Sequence, residues 1–351
     1  MNAVGLRRRN EIADRPDSLL AYGDTGCGKT VQLGELAKWE FLRTGRISRL
    51  LSADSGWDPI EDLVTHPGKP FGTLTPSGPV CIEAWNIQHI RHPFPTLVKL
   101  SEGATNPRAS ADGMKTQLNA AKWKDGKLMS DDGSAPMGMI AIEGLSTISS
   151  MLMQDHIREQ RKIAEDIVGD FQDQIDSVAD GKVQTQTFKF GKSGRAHYGH
   201  VQDFVLLDLV PRFATLPVAR VVWTAHEAKG TDDITGVKDS VLGPATIGKA
   251  AVARTAMKFG DTFHLVASTA SVTGADRQSR LVTTYRAYYG PHPDEQLTRM
   301  YWPAKLSLPL DRIDELNRVF PGGYVPLTIH EGGLERFLDF KLGAQVQDAK
   351  A

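Results

Sequence analysis

The run Gly23-Asp24-Thr25-Gly26-Cys27-Gly28-Lys29-Thr30 matches G-x-x-x-x-G-K-[ST] at every fixed position, and no other stretch constrains the fold as much. Glycine at those places lets successive backbone N–H groups turn toward a polyphosphate, where a side chain would push the anion away. Lys29 is expected to reach the β and γ phosphates, and Thr30 to offer its hydroxyl to Mg²⁺. The apolar residues 18–22 ahead of the loop read as a strand. Residues 30–44 behind it carry Val31, Leu33, Leu36, Ala37, Phe41 and Leu42 at amphipathic spacing. A helix there aims the positive end of its dipole at the same anion. The loop as a whole is therefore read as nucleotide-binding, with a nucleoside triphosphate and Mg²⁺ as its expected ligands.

Further apolar runs at 49–53, 80–84, 137–142, 218–224 and 262–267 alternate with helical patterns. That rhythm predicts an α/β fold, with a mostly parallel central sheet flanked by helices. Such sheets bind ligands beyond the carboxyl ends of their strands, so polar residues ending these runs become site candidates. Residues 151–180 read as one long amphipathic helix with a solvated charged face. Residues 101–134 are polar and read as an exposed insertion, helical around 114–123 and looped afterward. Residues 281–308 look β-like with a turn at 290–293, and 310–320 and 334–342 look like helices. The expected division is an ATPase core over 1–280 and a C-terminal β-hairpin and helical extension over 281–351.

The charge balance bears on partners. A net charge of −1 creates no global field for nucleic acid, so a DNA-binding surface has to be local. The two cysteines, Cys27 in the loop and Cys81 in an apolar run, suit a reducing cytoplasm better than a disulfide framework. No stretch reaches the ~18 apolar residues of a membrane span, and the N-terminus lacks the apolar centre of a signal peptide. The expectation is a cytoplasmic protein with no membrane partner.

Three strand ends supply the remaining chemistry. Glu143 follows the apolar residues 137–142, and a buried carboxylate there is explained by a cation, Mg²⁺, more readily than by packing. The plain alternative is a glutamate at an ordinary strand end. Asp54 ends the run Leu50-Leu-Ser-Ala-Asp54 and is the candidate for positioning or deprotonating the attacking water. Its alternative is a cap on the turn at Ser55-Gly56. His226, ending Val221-Val-Trp-Thr-Ala-His226, can sense a γ phosphate and relay its loss to a following loop at 227–248, or can be a surface histidine.

With these residues in place, the chain resembles the RecA-like P-loop ATPases, particularly compact phage-encoded forms associated with recombination and single-strand annealing. The likeness spans roughly residues 15–270 and is carried by the phosphate loop, the segment around Asp54, the strand ending in Glu143 and the strand ending in His226. It departs from the family in having Glu143 where an aspartate is usual, Asp54 in place of a catalytic glutamate, and His226 in place of an amide. The resemblance implies single-stranded DNA as a partner, assembly into a homo-oligomeric ring or filament, and a role in phage recombination or replication inside the host cell. It also implies DNA-binding loops between the Glu143 helix and the His226 strand. Residues 182–200 occupy that place, with Lys189, Lys192 and Arg195 interleaved with Phe188, Phe190 and Tyr198. Basic groups for phosphates and aromatics for bases are what a single-strand groove needs, although a merely soluble loop has the same composition. The rival readings are a helicase or packaging motor, and a nucleotide-binding assembly protein with little turnover.

Overall fold

The structure, a computed structural model, describes residues 16–54, 56–88, 90, 92–103, 123–176, 195–230, 241–246, 251–273, 279–290, 305–328 and 332–343. Its strands, in chain order, are β1 (Asp17–Gly23), β2 (Ile47–Ser52), β3 (Ile82–Asn86), β4 (Met137–Glu143), β5 (Arg220–Gly230), β6 (Val241–Pro244), β7 (Asp261–Thr273), β8 (Ser279–Tyr288) and β9 (Tyr324–Pro326). All of them join one sheet of order β9-β8-β7-β1-β5-β4-β2-β3, with β6 paired to β5 off this path. From β7 through β3 each neighbour is parallel. β8, β9 and β6 add on antiparallel. The α/β architecture with a mostly parallel sheet is the one the alternating runs predict. Two short hairpins stand apart from it, at Leu74–Thr75 with Gly78–Pro79 and at Trp123–Lys124 with Lys127–Leu128.

Successive strand residues point to opposite faces, and both faces of this sheet are covered, which is why the central strands read as continuous apolar runs. Leu20 and Tyr22 of β1, Ile140 and Ile142 of β4, and Val221 and Trp223 of β5 pack into one core. Their neighbours Leu19, Ala21, Met139, Ala141 and Val222 pack into the other. The first core is closed by α3 (Leu145–Asp176) through Ile148 and Leu152, and by Val201, Val205, Leu209 and Phe213 from the stretch that begins with α4 (Arg195–Asp203). The second is closed by α1 (Lys29–Thr44) through Leu33, Leu36 and Ala37 and by the C-terminal helix α8 (Leu334–Lys341) through Leu334, Phe337 and Leu338. Between them in the chain lie α2 (Pro93–Ser101), α5 (Val210–Phe213), α6 (Ala251–Ala256) and α7 (Leu310–Val319). α1 stops where Gly45 takes φ +66° and returns its N–H to Phe41 O at 2.8 Å, a left-handed cap suited to glycine.

Several boundaries differ from the sequence reading. The third strand begins at Ile82 rather than 80, because the N–H groups of Val80 and Cys81 are taken by Thr73 O and Leu63 O. α3 starts at Leu145, not 151. Residues 281–288 belong to β8, which pairs with β7 along its length and with β9 at 286–288, while 291–304, with the turn expected at 290–293, lie outside the described residues. Residues after 280 thus share the sheet and the core of those before it. In the stretch read as an exposed insertion, 104–122 lie outside the described residues. Of its described end, 123–127 and 132–134 are exposed as expected, but Leu128, Met129 and Ser130 are buried. The reason is a polar lid: Arg49 donates to Met129 O at 3.1 Å while stacking 3.8 Å from the centre of the Trp85 ring.

Arg49 also pairs with Glu83 at 2.8 Å, inside the protein. Burial pushes the Glu83 carboxyl up despite the arginine, so the pair is costly to break from one side. Arg49→Met is expected to cost roughly 3–5 kcal/mol in urea unfolding, because it leaves a buried carboxylate uncompensated. Adding Glu83→Leu to it is expected to recover most of that loss; a double variant as unstable as the single one contradicts this account.

Candidate active site

β1 ends at Gly23, and the chain turns through the loop before α1 begins at Lys29. Gly26 and Gly28 take φ +78° and +91°, conformations that expose the backbone N–H groups and that side chains disfavour. Asp24 supports the turn by accepting the Thr25 N–H at 2.7 Å. Lys29 is folded back, its Nζ donating to Gly23 O at 2.9 Å and Asp24 O at 2.7 Å. These are carbonyl contacts that anionic oxygens can replace. Cys27 lies beneath the loop, and burial pushes its thiol up against the lowering pull of Lys29, the opposite of an activated thiolate.

Thr30 in the first turn of α1 donates its hydroxyl to Glu143 Oε1, although β5 separates β1 from β4 in the sheet. Ser52, the last residue of β2, donates to the other Glu143 oxygen at 2.6 Å. Glu143 is buried, and its placement brings one carboxylate and two hydroxyl groups together under the loop. Among the described residues no group of three or more His, Cys, Asp and Glu side chains forms a metal cage. One carboxylate with neighbouring hydroxyl oxygen is instead the donor set that suits Mg²⁺ shared with substrate phosphates. The residues present therefore fit the ion.

Beside this group stands Asp54, two residues past β2. Thr147 of α3 donates to its Oδ1, and His226 Nε2 lies 3.7 Å from its Oδ2. Gly144 makes the approach possible: it has φ +88°, and a Cβ there would meet Asp54 Oδ1 at 2.5 Å. Its N–H is taken by Thr224 Oγ1 at 3.1 Å. His226 pairs in register with Gly23, so the sheet itself sets the imidazole beside the loop. Its N–H donates to Ser146 Oγ at 2.9 Å, and Ser146 donates onward to Ala245 O at 2.8 Å. For the turn-cap alternative at Asp54, Ser55 lies outside the described residues.

The strand of His226 does not end there. β5 continues to Gly230, and β6 lies antiparallel against it, with Glu227 opposite Pro244. Part of the loop expected at 227–248 is thus a strand pair, and 231–240 lie outside the described residues. Glu227 pairs with His264 Nε2 at 2.7 Å, and His264 stacks on Tyr22 with ring centres 4.9 Å apart.

The loop, Asp54, Glu143 and His226 line one cavity of about 860 Å³. Its volume is in the range of small-molecule sites. Sequence reasoning missed Ser52 and Thr147, whose hydroxyls orient the two carboxylates. It also missed the C-terminal wall of the cavity, formed by Tyr285, Leu327, Thr328 and Glu335. Of the residues read as DNA-binding, Lys189 and Lys192 lie outside the described residues. Arg195 and Tyr198 are in α4 rather than in a loop, with Tyr198 exposed. No protein-family model matches the chain, and no curated protein matches it.

Proposed function

We propose that the chain is a RecA-like P-loop ATPase that binds ATP with Mg²⁺, hydrolyses it, and acts on single-stranded DNA in phage recombination or replication. One observation carries this reading: Lys29, Thr30 and Glu143 converge at a glycine-shaped loop, with Asp54 and His226 paired beside them. A triphosphate entering the loop would take Lys29 Nζ from Gly23 O and Asp24 O, and the N-terminal amides of α1 would add the donors that a helix start offers an anion. Thr30 and Glu143 would hold Mg²⁺, which when bound would neutralise charge developing on the transferred group. Asp54, fixed by Thr147, orients the attacking water and accepts its proton. His226 would face the γ-phosphate end, and its link through Ser146 to Ala245 connects that end to the residue just past β6. No helix of the described residues is long and apolar enough to cross a membrane.

The DNA part of the reading is supported by the sequence around Lys189, Lys192 and Arg195 and by the exposed Tyr198. A cytoplasmic location in the host and a ring or filament of copies belong to the same resemblance. The test is phosphate release from ATP with and without single-stranded DNA, the expected result being faster release with DNA. Neutralising Lys189, Lys192 and Arg195 together is expected to remove that acceleration and to flatten the salt dependence of DNA affinity. Each lost phosphate contact takes about 0.7 from the log–log slope. A triple variant that binds as tightly as wild type at every salt concentration rules out this DNA surface.

A further inference from the structure

We propose that an acid-sensitive latch holds α4 on α3: uptake of a proton by the cluster His156, His197 and His200 releases the first turns of α4. The proposal does not rest on the nucleotide reading. His197 and His200 stand three positions apart in α4, on one helix face, and that face meets His156 of α3. The His156 ring lies 4.5 Å from the His200 ring, nearly parallel to it at 24°. It lies 5.1 Å from the His197 ring and meets it edge-on at 64°. Phe94 of α2 closes the group, 5.8 Å from His200 and 6.4 Å from His156. His156 is buried and His200 is exposed, so protons reach the cluster from the α4 side.

Neutral imidazoles pack well here, and a charged one does not. Stacking ring on ring aims no N–H of one at a lone pair of the other, so no shared proton offsets the charge, and a second imidazolium would repel the first. Burial first, then His200 and His197, push the His156 pKa below its ordinary 6.5, while Glu159 pulls the other way. On Asp155, next in the chain, burial and then Glu159 push the carboxyl up against the pull of His92 and Arg158. Acid therefore favours Asp155 in its place and opposes release. α2 and the stretch after α4 contribute Phe94 and Phe204, which carry no charge. A released His156 titrates near the ordinary value and the latched one below it. As pH falls under about 6.5 the released form takes up the proton first, so the latched form loses stability. α4 is weakly built for its part: it is nine residues long with Gly199 inside, and Val201 in its last turn is buried in the apolar core. Arg195 and Tyr198 lie on the same helix, so the latch governs how the segment read as DNA-binding joins the fold.

Amide hydrogen exchange of the full chain at about pH 7.5 and about pH 5.5, either side of the histidine range, tests the proposal once each rate is divided by its intrinsic value. Protection of 197–203 is expected to fall about tenfold at the lower pH, the factor for one histidine that titrates only in the released form, while α1 and α8 keep theirs. In Asp155→Asn the fall is expected to be at least as large. His156→Phe keeps an aromatic ring against Phe94 but takes up no proton, and it is expected to give α4 the same protection at both pH values. His156→Gln is expected to do the same, and circular dichroism shows which variant is folded and read. A fall in neither the wild type nor Asp155→Asn overturns the latch. So does a fall shared equally by α1 and α8, or one that persists undiminished in a folded His156 variant. None of these outcomes touches the phosphate-loop reading.

Discussion

Replacing Lys29 with alanine is expected to lower ATP affinity by about 100-fold, which is about 2.7 kcal/mol, the upper part of what hydrogen bonds to a charged group contribute. The ammonium is nearly buried and is satisfied by two loop carbonyls, so it is already held at the loop where the proposed triphosphate would bind. The fold is expected to persist, because α1 is fastened by Leu33, Leu36 and Ala37 in the core and not by the lysine. Circular dichroism and urea unfolding check the fold, and titration with a non-hydrolysable ATP analogue checks affinity. A folded variant with wild-type affinity removes the lysine from the site.

Asp54→Asn separates binding from turnover. The amide keeps the shape and still accepts from Thr147, but it can no longer take a proton from water or hold a negative charge near His226. The expected loss in kcat is about 10²- to 10⁴-fold, the usual range for a positioned general base. KM is expected to change little, since the pattern marks an interaction made only in the transition state. Gly144→Ala approaches the same point from the backbone: its Cβ would collide with the Asp54 carboxylate, and φ +88° would be strained besides. It is expected to depress turnover in the same direction. If Asp54→Asn releases phosphate at the wild-type rate, the proton acceptor is another group and Asp54 is structural.

How much of this site can be read from the chain follows from how local each part is. The loop from Gly23 to Thr30, the strand before it and the helix after it are contiguous, so their residue types and spacing suffice. Glu143 is legible because it directly follows a buried run. Ser52 and Thr147 are not, since a hydroxyl gains meaning only from the carboxylate it meets; Thr147 and Asp54 are 93 positions apart in the chain. The extent of β5 beyond His226 depends on β6 arriving to pair with it, and nothing near His226 announces that partner. The same holds for β8, whose pattern identifies a strand but not whether it pairs with β7 and β9 or across the turn at 290–293. The C-terminal wall is the extreme case: Gln32 and Leu334 meet across 302 positions, and only folding makes Glu335 a neighbour of the phosphate loop.

The central claim is that Lys29, Thr30 and Glu143 form one site for a triphosphate and Mg²⁺. Calorimetric titration of the wild-type chain and of Glu143→Gln with a non-hydrolysable ATP analogue, in Mg²⁺ and again in a chelator, tests it most directly. The account predicts saturable binding by the wild type that is tighter in Mg²⁺, and loss of that Mg²⁺ effect in Glu143→Gln. Absence of binding by the wild type in either solution, or a Mg²⁺ effect that survives intact in Glu143→Gln, contradicts it.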